Sequence, residues 1–159
     1  MTRIGTRSGL AIGVALMALA PLSATAQEQA NIVQPNSLKW GPAPPSLPKG
    51  AQIAVVSGDP SKEGPFVFRS KVPAGYKVPA HMHPADENVT VLSGTVDIGM
   101  GDKLDPKKGE AVKAGGFFHM PKGMHHYASF SQETIIQFNG IGPFEIIYVN
   151  AADDPRKTR

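Results

Sequence analysis

From Ile53 to Val149 the apolar residues come in short runs, and each run is closed by a cluster of turn-forming residues. The runs fall at residues 53–56, 66–69, 76–83, 87–92, 95–98, 110–113, 117–120, 126–130, 134–138 and 144–149. Between them stand Ser57-Gly58-Asp59-Pro60, Pro73-Ala74-Gly75, Ser93-Gly94 and Pro121-Lys122-Gly123. A helix needs about ten or more residues with an apolar stripe at a period near 3.6, and nothing in this part of the chain sustains one. Many short strands at close spacing, punctuated by glycine and proline, predict an all-β sandwich or barrel. The stretch 99–109, GMGDKLDPKKG, is polar and turn-rich and reads as a loop.

One stretch carries chemistry. Residues 75–94 read GYKVPAHMHPADENVTVLSG, with His81 and His83 one residue apart and Glu87 four residues later. Side chains alternate faces along a strand, so His81 and His83 point the same way. Glu87 keeps that parity if the chain between stays extended. Pro84 lacks an N–H, and a turn or bulge there is the alternative. Two imidazoles and a carboxylate from one short segment suit a borderline divalent metal.

The first residues stand apart from the fold. Arg3 and Arg7 precede an apolar run, LAIGVALMALA, and Ala24-Thr25-Ala26 is a small-residue cleavage site. Residues 1–26 are expected to be a secretory signal peptide; the apolar run is too short for the roughly 20 residues of a membrane span. The expected location is therefore the periplasm or the exterior, with no membrane contact in the mature form. No paired arginines support the twin-arginine route. Cleavage after residue 26 leaves 133 residues, enough for one packed domain. It also removes two of the 16 basic residues, leaving 14 against 13 acidic ones, a net charge of +1. The remaining Lys and Arg are scattered, so nucleic-acid binding has no footprint. With no cysteine in the chain, disulfides and thiolate ligands are excluded.

Residues 27–50 form a proline-rich arm, with Pro35, Pro42, Pro44, Pro45 and Pro48. That is too much proline for a helix interior or a central strand. Trp40 and Leu47 suggest that part of the arm lies against the barrel. Residues 51–150 are the expected barrel, and 151–159 a polar tail.

The spacing of Gly75, His81, His83, Glu87 and Gly94 resembles the first motif of the cupin superfamily: Gly, five residues, His-x-His, three or four residues, Glu, six residues, Gly. Gly115, Pro121, Gly123 and His126 resemble the second motif: Gly, five residues, Pro-x-Gly, two residues, His, three residues, Asn. Phe130 stands where the family has Asn, a turn or packing position. Two histidines within five fixed positions make a chance match rare, on the order of 10⁻⁴. The Trp40-Gly-Pro arm, the AHMHPADE segment and the GDKLDP loop are similar to small exported or ChrR-like cupins.

The resemblance implies a single-domain cupin-type jelly-roll β-barrel, or double-stranded β-helix, enclosing one divalent transition metal: Fe, Mn, Ni, Co or Zn. It puts the ligands at His81, His83, Glu87 and His126. His125 is the rival for the last position. The motif spacing selects His126 and alternation turns His125 outward, although a bulge after Gly123 would reverse the choice. His119 reads as a packed or surface residue, and Tyr76, Tyr127 and Met124 as core or rim. Phe66, Phe68, Phe117, Phe118, Phe130 and Phe138 read as barrel core.

Three imidazoles and a carboxylate complete a tetrahedral zinc site, whereas a six-coordinate ion would keep two positions open for chemistry. Two functions are open to such a site. One is a metal-dependent enzyme acting on a small oxygen-bearing molecule, of dioxygenase, lyase or isomerase type. The other is a non-catalytic module that binds a metal or small ligand, as a sensor or carrier does. A third reading makes the arm a docking or dimer-swapping element. Small cupins are often dimers, so a homodimer joins the expectations.

Overall fold

A computed structural model of the chain describes residues 30–157. The expected signal peptide, the start of the arm and the last two residues of the tail lie outside them. Eleven strands occur in order: β1 (Gly41–Pro42), β2 (Gln52–Ser57), β3 (Gly64–Val72), β4 (Lys77–Met82), β5 (Glu87–Ser93), β6 (Thr95–Met100), β7 (Glu110–Lys113), β8 (Phe117–Met120), β9 (His126–Ser129), β10 (Thr134–Gly142) and β11 (Ile147–Tyr148). They build two antiparallel sheets, ordered β1-β2-β3-β10-β5-β8 and β11-β4-β9-β6-β7. From β3 to β6 and again from β7 to β11, each strand lies in the sheet opposite its predecessor. This alternation makes the fold a jelly-roll, as the cupin resemblance implies; the short, turn-bounded runs predict an all-β sandwich or barrel.

The corners need backbone that few residues supply. Gly94, between β5 and β6, has φ 77°, and a Cβ there would stand 2.4 Å from Thr134 Oγ1 and 2.6 Å from the Glu133 carbonyl oxygen. Only glycine fits both the left-handed conformation and the space. Thr134, fully buried, uses the same tight approach to fasten the corner. Its Oγ1 donates to Thr95 O (3.0 Å) and accepts from Thr95 N–H (3.2 Å).

Between the sheets lies an apolar core that includes Val78, Val89, Val91, Val96, Ile98, Phe130 and Ile136. Strand alternation puts it there. On β5, Glu87, Val89 and Val91 point in, and Asn88 and Thr90 point out. Each such aliphatic side chain contributes roughly 1.5–3 kcal/mol by leaving water. Phe117 departs from its expected place. It stands opposite Thr90 on the outer side of edge strand β8 and is 59% exposed, while Phe118 takes the inward position.

Several contacts fasten the arm. Gly41 and Pro42 pair with Ile53 and Gln52. Tyr76 Oη donates to Pro48 O (2.7 Å), and Tyr148 Oη donates to Ser46 O (2.8 Å). Burial pushes the Tyr76 hydroxyl up to about 12, so it stays a donor at any physiological pH. Leu47 packs on the core, and Lys71 lies 4.7 Å from the centre of the Trp40 ring. At the other end, Asp154 is buried and Arg156 grips it with Nε and Nη2, each at 2.8 Å. Arg156 is therefore anchored to the fold and not a freely solvated cation. No helix among the described residues is long and apolar enough to cross a membrane.

Candidate metal centre

The two sheets meet the site from opposite sides. His81 on β4 and His126 on β9 are register partners in the five-stranded sheet. His83 comes directly after β4. The chain then bends at Pro84-Ala85 and enters the six-stranded sheet at Glu87, the first residue of β5. The bend is the alternative that Pro84 left open. Glu87 thus faces the histidines from the opposite sheet, not along their own strand. All four side chains are buried. The ligand atoms of His81, His83 and His126 lie within 4.8 Å of one another, a group that could hold a metal ion. Glu87 Oε2 lies 3.0 Å from His126 Nε2 and 3.8 Å from His83 Nε2.

Backbone carbonyls set the chemistry of the three rings. His81 Nδ1 donates to Pro79 O (2.7 Å), His83 Nδ1 to Glu145 O (2.5 Å) and His126 Nδ1 to Met124 O (3.0 Å). A carbonyl only accepts, so each Nδ1 carries the hydrogen. In the neutral ring each Nε2 is then a bare lone pair. This is how protein metal sites commonly orient imidazoles. Glu87 Oε2 is buried and, with each Nε2 bare, meets no hydrogen-bond donor; His126 Nε2 lies 3.0 Å away. Lone pairs and an orphaned carboxylate oxygen in one place repel each other unless a cation sits among them. The residues therefore fit a divalent metal.

Proton affinities reflect the same crowding. Burial pushes His81 down to about 3, helped by His126 and His83. Burial also lowers His83, against the pull of Glu87. For Glu87 burial alone would raise the pKa, but the close His126 contact and the other imidazoles outweigh it and hold the carboxyl below its usual range. For His126 burial is outweighed by Glu87, which raises it. Of the three rings only His126, beside the Glu87 carboxylate, is shifted toward holding a proton.

The other two histidines lie outside. His125 Nδ1 is 2.6 Å from Asp102 Oδ1 on the surface. His119, also exposed, is 3.0 Å from Asn88 Oδ1. His126 lies inside and His125 outside, the order that the motif spacing selects; the register irregularity between β4 and β9 falls on β4, between Val78 and His81. Tyr76 and Tyr127 are buried, and Met124 is exposed at the rim.

Two contributors could not be read from the sequence. Residues 144–149 are expected to form a strand, but only Ile147 and Tyr148 pair, with Met82 and His81. Phe144 and Glu145 leave the ladder to serve His83. The Phe144 ring stacks on His83 at 4.3 Å, and the Glu145 carbonyl holds its Nδ1. The only trace in the sequence is the Gly142-Pro143 pair, which separates β10 from residues 144–149.

Facing sheets that close on buried histidines and one carboxylate define a cupin. The chain belongs to the ChrR Cupin-like domain family, whose sequence profile matches residues 28–145. No curated protein sequence matches it. Solved structures share its fold at low identity. An acetylacetone dioxygenase from Acinetobacter johnsonii is 18% identical, with a TM-score of 0.59 over 87% of this chain and 88% of that one. The polyketide cyclase RemF from Streptomyces resistomycificus is 17% identical, with a TM-score of 0.63 over 80% and 90%. An RmlC-like cupin from Shewanella frigidimarina is 12% identical, with a TM-score of 0.56 over 71% and 91%.

Proposed function

We propose that this cupin is an exported metal-dependent enzyme acting on a small oxygen-bearing molecule, of dioxygenase, lyase or isomerase type. The observation that carries the reading is the orphaned Glu87 oxygen among three Nε2 atoms whose Nδ1 partners are fixed by backbone. His81, His83, Glu87 and His126 would hold the ion. Bound there, it would supply Lewis acidity, or O₂ activation if it is iron. The chain's own part is to keep those four side chains in place and to keep bulk water away with Phe118, Phe130, Phe138 and the aliphatic residues around them. The acetylacetone dioxygenase and the polyketide cyclase, which share the fold, both act on oxygen-rich carbon skeletons by their names, and this favours a carbonyl or enol substrate.

The test is to purify the protein with each candidate metal, measure metal content, and screen carbonyl, enol and phenolic compounds. Turnover that depends on one metal and is lost in His83→Ala is the expected result; turnover that survives His83→Ala would refute the reading. Export is tested separately, by fractionating cells and sequencing the N-terminus, which should begin at Gln27.

One observation favours the non-catalytic alternative. Among the described residues, every side chain lining the inner cavity apart from the four is apolar, so no acid–base group stands beside them. A zinc form with four protein ligands and no coordinated solvent would support a sensor or carrier instead.

A further inference from the structure

Two cavities meet at His83. The inner one, about 70 Å³, is enclosed by the four site side chains and the apolar core. A water occupies roughly 30 Å³ of liquid, so this space suits one or two water-sized molecules and no organic ring. The outer one, about 400 Å³, falls in the range of roughly 300–1,000 Å³ typical of small-molecule pockets. The arm walls one side of it with Ser46 and Leu47; Phe68, Phe144, Ile146 and Arg156 are among its other walls. His83 is the one residue that lines both spaces. An aromatic partition stands beside it: Phe144 stacks on His83 at 4.3 Å, and Phe68 of the outer pocket stacks on Phe138 of the inner cavity at 4.5 Å.

The walls also define what fits. They are mostly apolar and partly aromatic, which favours a flat molecule. Their charge balance is negative. Arg156 is held by both oxygens of Asp154, and the exposed Glu145 adds a second carboxylate at the pocket. An anion would find no unpaired counter-charge there.

We infer that the outer pocket binds the organic partner of the site, a flat, non-anionic molecule that bears an oxygen. The inner cavity takes only water-sized molecules, and Leu47 of the arm sets the limit on size. This rests on reading the site as one for small-molecule chemistry, but the pocket is built without any metal.

Acetophenone and benzoate are suitable probes, alike in shape and different in charge. Each is titrated into the mature chain, metal-loaded and metal-free, and followed by NMR. Acetophenone is expected to bind both forms with a Kd of about 1 mM or tighter and to shift the Leu47 and Phe144 signals. Benzoate should bind about tenfold more weakly, and Leu47→Trp should weaken acetophenone by about tenfold or more while metal content stays unchanged. If Leu47→Trp does not fold, Ser61→Trp fills the same pocket from an exposed position. Benzoate binding as tightly as acetophenone would overturn the inference, as would equal affinity in wild type and the folded variant, no binding at that strength, or shifts that map elsewhere. Failure of the metal reading would appear in metal content, and acetophenone bound to metal-free protein would still support the pocket.

Discussion

All five histidines of the chain bond through Nδ1, three inside the barrel and two outside, and the two groups behave differently because of what they bond to. Inside, the partners are the backbone carbonyls of Pro79, Glu145 and Met124. They cannot rotate away or change charge, so tautomer and ring direction are set by the fold. Outside, the partners are the side chains of Asn88 and Asp102, at exposed positions where water competes. His125 and His126 are adjacent in sequence and fall on opposite sides of this divide. Burial alone does not make a candidate ligand; a backbone acceptor behind the ring does, because it leaves the far nitrogen bare.

The sharpest way to break the contrast is to exchange its neighbours. His126→Ala should weaken metal binding by about 100-fold or more, measured by competition with a chelator, while His125→Ala should leave it unchanged. Equal losses would mean that the surface ring is part of the site.

Acidity offers the next largest effect. Glu87 raises His126, so the metal-free quartet carries a proton that the ion must displace, while His81 and His83, shifted down, stay neutral. A raised histidine is protonated below its shifted pKa. Affinity should therefore fall by about tenfold per pH unit as pH drops below that raised pKa, which lies above the ordinary 6.5 of a histidine. Calorimetry in buffers of different ionisation enthalpy should count one proton released per metal in that range. A count of zero or three would contradict the assignment.

A milder perturbation is Phe144→Ala, which removes the plate behind His83 and leaves the Glu145 carbonyl. About tenfold weaker metal binding is expected, the lower end of what supporting residues contribute. No change would show that the carbonyl alone holds the ring. The smallest effects belong outside: His119→Ala should shift urea unfolding by no more than about 0.5 kcal/mol.

The histidine pair and the Pro-x-Gly-x-x-His segment were legible because strand period and turn chemistry act within a few residues. Alternation sorted His125 from His126, but Phe117 and Phe118 both read as core. It did not foretell that Phe117 would stay uncovered, because edge status depends on which strands pair and not on the strand's own residues. Glu87 was readable as a companion of the histidines. Its approach from the facing sheet was not, since Pro84 permitted both an extended chain and a bend. Phe144 and Glu145 were hidden for a similar reason. Their apolar-rich context has strand character, and only a long-range contact with His83 draws them out of the ladder. The arm's two-residue pairing at Gly41–Pro42 is shorter than any periodic signal.

The carbonyl that steadies His83 lies 62 positions later in the chain. A polypeptide leaving the ribosome exposes its N-terminal part first. Both members of the early histidine pair therefore emerge long before the group that aims the second of them. A nascent chain stopped at residue 140 would carry all four metal-binding candidates and still lack the brace, so full grip on an ion would wait until Glu145 has emerged.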